Sequence, residues 1–283
     1  MQENDIMIIN EIKENVLEFK LENKIEIEAA PNGNPIESKE LNMLIHEAVS
    51  SNYKEIRIHN VCGQRFIGAG LKGDITIKIN GLPGNDLGIF MDGPKILVNG
   101  NSEDQSGNTM NSGTIIINGD GGDVIGLSSR GGKIFIKGNV GYRVGIHMKE
   151  YEDKFPLLII GGTTKDFLGE YMAGGKIIVL GLKILPDNTI IENQQPICGC
   201  ELGTGIHSGS IYLRTDENLE ERLGPGAKLF EVSKKEWQEI FPFIMNFCNL
   251  FNIPKKIINA KPFKVVKPLS KRPFRNNYCS QLI

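Results

Sequence analysis

Between Ile58 and Val179 the chain repeats itself with a period of 19, and no other feature restricts its possible folds so sharply. The triplets Ile77-Lys78-Ile79, Ile96-Leu97-Val98, Ile115-Ile116-Ile117 and Ile134-Phe135-Ile136 begin 19 apart, and Ile58 precedes Ile77 by the same 19. Leu157-Leu158-Ile159 and Ile177-Ile178-Val179 follow after 23 and 20. One glycine series trails the triplets (Gly81, Gly100, Gly119, Gly138, Gly161, Gly181), and a second crosses mid-unit (Gly88, Gly107, Gly126, Gly145). Periods of this length mark repeat architectures, in which a unit buries its apolar face only against its neighbours. Each unit holds one β-branched run bounded by Gly, Asn and Asp, so it reads as a strand and tight turns with no room for a helix. Successive units should coil into a parallel β-helix, an all-β solenoid of about seven coils spaced ~4.8 Å apart. The ten glycines are structural on this reading, since none of these turns opens a helix that could cradle a phosphate.

Alternation in Ile75-Thr76-Ile77-Lys78-Ile79 points the isoleucines inward and Thr76 and Lys78 outward. Carried along the repeat, that register gives an outer column of His59, Lys78, Leu97, Ile116, Phe135, Leu158, Ile178 and Tyr212. From the third coil onward the column is apolar, and soluble proteins rarely leave so large an apolar patch bare. Leu97, Ile116, Phe135, Leu158, Ile178 and Tyr212 are therefore candidate interface residues, covered either by another protein or by the chain's own C-terminal segment.

The flanks divide the chain into 1–55, 56–214 and 215–283, three parts of one structural domain. The first should supply edge strands at Ile6 to Ile9 and Ile25 to Ile27, then a helix capped by Ser38 and running to about Ser51. Such a helix covers the open end that a repeat array would otherwise expose. Its His46 reads as a partly exposed helix residue. In the last part, Ser233-Lys234-Lys235-Glu236 is a capping box. Trp237, Ile240, Phe241, Ile244, Phe247, Cys248 and Phe251 form an apolar helix face that Pro242 should kink or split. The Lys- and Pro-rich end from Lys261 reads as a free tail or a docking arm.

With 32 Lys and Arg against 34 Asp and Glu, nothing in the charge balance asks for nucleic acid. No apolar run is long enough to span a bilayer, and no secretory signal opens the chain. Five cysteines, odd in number and irregularly spaced, fit a reducing compartment, so a cytoplasmic protein is expected. Cys198, Cys200 and His207 lie close together in sequence but lack a fourth ligand, and no metal is expected there. Units lengthen at His147 to Phe155 and at Leu182 to Ile197, where loops leave the solenoid and offer contacts to partners.

Three segments carry a resemblance: Val61 to Gly68 (VCGQRFIG), Met110 to Gly119 (MNSGTIIING) and Met172 to Gly181 (MAGGKIIVLG). They resemble the GXGXG repeat found in the C-terminal domain of the large chain of glutamate synthase, which is shared with the C-type chain of formylmethanofuran dehydrogenase. Phe263 to Pro268 (FKVVKP) is similar to the glutamate synthase ending. The resemblance covers roughly Ile56 to Pro268. It implies a right-handed β-helix that acts as a scaffold between glutaminase and synthase parts and carries no catalytic or cofactor-binding residues. FMN and iron–sulfur clusters would sit in the partner chains. Gln2 stands where the glutaminase nucleophilic Cys would follow Met1, so the chain resembles the separate third polypeptide of split glutamate synthases. The alternative scaffold role is that of the C-type chain of formylmethanofuran dehydrogenase. A hexapeptide-type acyltransferase with His147 as base is a further alternative, although its coils run in multiples of six. A polysaccharide lyase would need acids and bases clustered on an outer strand face, where this chain is apolar.

Overall fold

The computed structural model of the chain describes residues 16–17, 23–185 and 189–269. Its strands are β1 (Val16–Leu17), β2 (Lys24–Glu28), β3 (Glu55–Cys62), β4 (Thr76–Leu82), β5 (Asp92–Asn99), β6 (Ser112–Ile117), β7 (Lys133–Ile136), β8 (Leu157–Ile160), β9 (Ala173–Val179), β10 (Leu182–Ile184), β11 (Ile190–Glu192), β12 (Ser208–Arg214), β13 (Ala227–Glu231) and β14 (Phe263–Pro268). Helices are α1 (Ser38–Ser50), α2 (Lys234–Phe251) and the short α3 (Lys255–Ile258). Twelve strands form one sheet in the order β1-β2-β3-β4-β5-β6-β7-β8-β9-β12-β14-β13. β2 through β9 and then β12 all pair parallel, while β1 at one end and β14 and β13 at the other pair antiparallel. The fold is the expected parallel β-solenoid, of about six turns where seven were expected.

The interior is a continuous stack of inward aliphatic side chains, Ile56 and Ile58, Ile77 and Ile79, Ile96 and Val98, Ile115 and Ile117, Ile134 and Ile136. Two details of the register differ from expectation. Ile58 pairs with Ile79, not Ile77, so the first unit exceeds the common period by two and Arg57, not His59, stands level with Lys78. In β8, Ile134 pairs with Leu158 and Phe135 with Ile159. Leu158 therefore points into the solenoid core, and Leu157 and Ile159 take the outer positions. The cause is the preceding loop: it lengthens the unit so that Leu158, rather than Leu157, is the counterpart of Ile134, and a slip by one exchanges the two faces of a strand.

α1 closes the N-terminal end with Leu41, Leu44, Ile45 and Ala48 buried against the first coils. Ser38 is its first helical residue, not its cap; Glu37 occupies the cap position, and the Arg65 N–H donates to the Ser38 hydroxyl at 3.0 Å. That bond and one from the Asn42 amide to the Arg65 carbonyl, 2.9 Å, tie the helix to the first turn. At the other end Phe263–Pro268 forms a docked strand between β12 and β13, which seals the last coil. The expected strand at Ile6 to Ile9 and the chain after Leu269 lie outside the described residues.

Asn and Asp side chains join the turns. Asp120 N–H donates to Asn101 Oδ1 (2.9 Å), Asn139 N–H to Asp120 Oδ1 (2.6 Å), and Thr163 N–H to Asn139 Oδ1 (3.0 Å). A second file runs from Asp104 to the Asp123 N–H (2.8 Å) and from Asp123 to the Tyr142 N–H (2.9 Å). Turn N–H groups that no strand could pair are thereby satisfied.

Ser106, between Leu87 and Ile125 of the neighbouring units, and Ser129 both break the apolar pattern of the core. Ser129 stands where the units before and after it carry Met110 and Met148; it is 1% exposed and its hydroxyl has no partner. Burying an unpaired hydroxyl costs free energy. Ser129→Ala is expected to raise stability by about 1 kcal/mol, read as a higher thermal midpoint; a drop of that size would show that the hydroxyl is bonded, for example to an internal water.

Candidate functional site

The apolar outer column is where the sequence places an interface, and the structure shows what lies on it. Ile116, Phe135, Ile159, Ile178 and Tyr212 form a second core with Ile240, Ile244, Phe247, Cys248 and Phe251 of α2; Leu97 packs at its margin. The Phe135 and Phe247 rings are 6.3 Å apart, Phe247 and Phe251 4.7 Å, and Trp237 and Phe263 5.2 Å. Gly161 leaves room for this: a Cβ there would stand 3.1 Å from Phe247 Cζ. Burial pushes the Tyr212 phenol up to about 12 and the Cys248 thiol to about 11. Of the six candidate interface residues, five therefore lie under or beside the chain's own helix, and Leu158 lies inside. Before Leu97 the same column is charged: Glu26, Arg57 and Lys78 with Glu55 form ion pairs that α2 does not reach.

α2 itself is one continuous helix despite Pro242. The ring removes one backbone donor and strands the carbonyl four positions earlier, at Gln238, which is exposed and can bond water. At its start the Ser233 hydroxyl accepts from the Glu236 N–H while the Glu236 carboxylate accepts from the Ser233 N–H at 3.0 Å. Ser233→Ala should cost about 1 kcal/mol; a urea midpoint unchanged by the substitution would mean that packing alone holds the helix.

Both loops turn back onto the chain. In the first, Phe155 meets Phe243 of α2 at 5.9 Å, and Glu150 accepts from the Gly175 N–H at 2.9 Å. The second makes the β10–β11 hairpin, which overhangs a polar cavity of about 330 Å³ lined by Asn101, Asn118, Asp120, Lys137 and Asn139. Its anchor is Arg214, 1% exposed at the end of β12. The guanidinium donates to both Glu192 carboxylate oxygens (3.1 and 2.6 Å) and to the carbonyls of Leu180 (3.1 Å), Ile257 (2.6 Å) and Ile258 (3.1 Å). One side chain thus joins the solenoid, the hairpin and the segment after α2. Those hydrogen bonds, with charge attraction from Arg214 and Lys261 added, hold the Glu192 carboxyl below the usual carboxylate range against the opposing effect of burial.

Cys198 is buried, its thiol pushed up to about 12, whereas Cys200 and His207 are exposed. The Asp166 carboxylate accepts from the Cys200 N–H at 2.8 Å, continuing the turn ladder. Among the described residues no three His, Cys, Asp or Glu side chains stand together as metal ligands. His46 is exposed on α1. His147 lies stacked on Tyr171, 5.4 Å between centroids, beside Arg143, which covers the Phe167 ring at 4.4 Å and pairs with the nearly buried Glu170. Arg143 and Phe167, like His147 and Tyr171, hold equivalent turn positions of successive coils, 24 apart because the inserted loop lengthens that unit, so counting by 19 does not bring them together. No helix among the described residues is long and apolar enough to cross a membrane.

A protein of Methanocaldococcus jannaschii, itself uncharacterised, is 50% identical over 252 residues, covering 87% of this chain and 94% of the relative. The family model described as the GXGXG motif matches residues 39–267, from the first turn of α1 through β14. That span takes in the solenoid, its covering helix and the closing strand together, and the chain belongs to the GXGXG motif family, that of the C-terminal domain of the large chain of glutamate synthase.

Proposed function

We propose that this chain is a non-catalytic scaffold subunit of a multi-chain glutamate synthase or a related amidotransferase-linked oxidoreductase. The observation that carries the reading is family membership over 39–267, a span that takes in the solenoid from β3 onward, its covering helix and the closing strand. The geometry fits a scaffold: apolar surface along the outer column is spent on holding α2, and the stacked coils give a stiff rod. On this reading the flavin and iron–sulfur centres belong to partner chains, and the route from glutamine nitrogen to 2-oxoglutarate runs through those partners in the cytoplasm. What the scaffold offers them is surface that α2 does not cover, namely the charged N-terminal part of the outer column and the turn faces.

Native affinity purification from the source cells is expected to recover a flavin-containing synthase chain and a glutaminase-like chain. Recovery without either, or steady glutamine turnover by the isolated chain, would overturn the reading.

A further inference from the structure

We propose that the chain associates with itself head to tail, the acidic N-terminal cap of one copy receiving the basic C-terminal end of the next. This inference goes beyond the scaffold reading and stands apart from it. Its first support is the charge distribution. Among the described residues, 23–55 hold 6 Asp and Glu against 3 Lys and Arg, whereas 225–269 hold 3 against 8. A net charge of −2 thus conceals two strongly opposed ends. The fold keeps them apart, because β2 and β12 are the first and last of nine parallel strands, eight steps of ~4.8 Å or roughly 38 Å.

Its second support is that each end also offers exposed apolar surface. At the cap, a groove of about 930 Å³ lies where α1 meets the first turn, with Met43 (48% exposed), Phe66 (45% exposed) and Ala69 in its lining and Glu37 and Glu47 beside them; Lys39 is the one Lys or Arg of that lining. At the other end β13 is the last strand of the sheet, and it carries Phe230, 39% exposed, with Leu269, 64% exposed, just past β14. Lys228 and Lys267 lie over the Phe230 ring at 5.5 and 5.6 Å, and Lys234 and Lys235 are exposed at the start of α2, three and four residues after β13. An aromatic or aliphatic knob ringed by ammonium groups fits an apolar groove edged by carboxylates, and the charges steer the approach. Two such surfaces on opposite ends of one molecule make a heterologous contact, which leaves a free head and a free tail and so admits further copies.

Sedimentation velocity of the full chain over a range of concentrations, in low and high salt, tests this. In low salt the weight-average sedimentation coefficient should climb with concentration, and in high salt it should fall back to the monomer value. Glu37→Lys with Glu47→Lys, and separately Lys234→Glu with Lys235→Glu, should each hold the protein at the monomer value. All four sites are exposed, so circular dichroism should show both variants folded. An equimolar mixture of the two variants should associate again, since the reversed head of one then faces the reversed tail of the other. A wild-type protein that is monomeric at every concentration and salt, or association that neither variant weakens, or a mixture that stays monomeric, would overturn the proposal.

Discussion

Gly126→Val is expected to lower the stability of the protein by about 2 to 5 kcal/mol, from two causes that a second substitution separates. The first is backbone strain: Gly126 has φ +72°, where a side chain collides with its own carbonyl and costs ~1 to 2 kcal/mol. The second is crowding. A Cβ built on Gly126 lies 2.9 Å from Cδ2 and 3.2 Å from Cδ1 of Leu158, which is fully buried and has nowhere to retreat, and overpacking of that kind costs ~1 to 3 kcal/mol. Gly33 supplies the comparison, since its φ is +81° yet nothing lies within 4 Å of its Cβ position. Gly33→Ala should therefore show strain alone, about 1 kcal/mol. Urea unfolding of both variants measures the difference; equal losses would mean that contact with Leu158 contributes nothing.

Arg214→Ala should cost about 3 to 5 kcal/mol and should act on the C-terminal half as a unit. Removal of the guanidinium leaves the carbonyls of Leu180, Ile257 and Ile258 short of a donor, at ~1 to 3 kcal/mol for each one left buried and unsatisfied. Glu192 is about a third exposed and can return to water, so it adds little to that loss. Lysine is no substitute, because it presents a point charge where five separate donors in a planar fork are used. The same pair shapes the acid limb of stability. A carboxyl held below its ordinary value contributes stability that is complete above about pH 4.3 to 5 and disappears as pH falls through the lowered value. Arg214→Ala should shorten that limb. Thermal midpoints followed from neutral pH downward test this, and a variant that keeps both the wild-type midpoint and its acid slope would remove Arg214 from its assigned place.

The stack of strands was legible because a period of 19 written in isoleucine and glycine has few other physical solutions. The cover on the outer column was half legible: the apolar face from Ile240 to Phe251 was plain, but its partner was not, since helical spacing names a face and not what it meets. Leu158 was misplaced because counting through the loop from His147 to Phe155 cannot fix register to better than one, and one is enough to invert a strand. Arg214 was invisible, because its partners are distant in sequence and three of them are backbone carbonyls. The turn ladders were there to be seen, in Asn101, Asp120 and Asn139 and in Asp104 and Asp123, each 19 apart, yet they read as ordinary turn residues.

Those ladders have a direction. In every rung the donor N–H belongs to the later turn and the accepting side chain to the earlier one: Asn101 to Asp120, Asp120 to Asn139, Asp104 to Asp123, Asp123 to Tyr142 and Asp166 to Cys200. A chain leaving the ribosome N-terminus first thus meets each acceptor already fixed by the coil before it, and α1 provides the floor on which the first coil is laid. Growth in the reverse sense would begin with turn amides that have no oxygen waiting for them. The molecule is therefore built to be wound from one end, and a fragment cut from its N-terminal side keeps its turns bonded where a fragment cut from its C-terminal side leaves its first turn open.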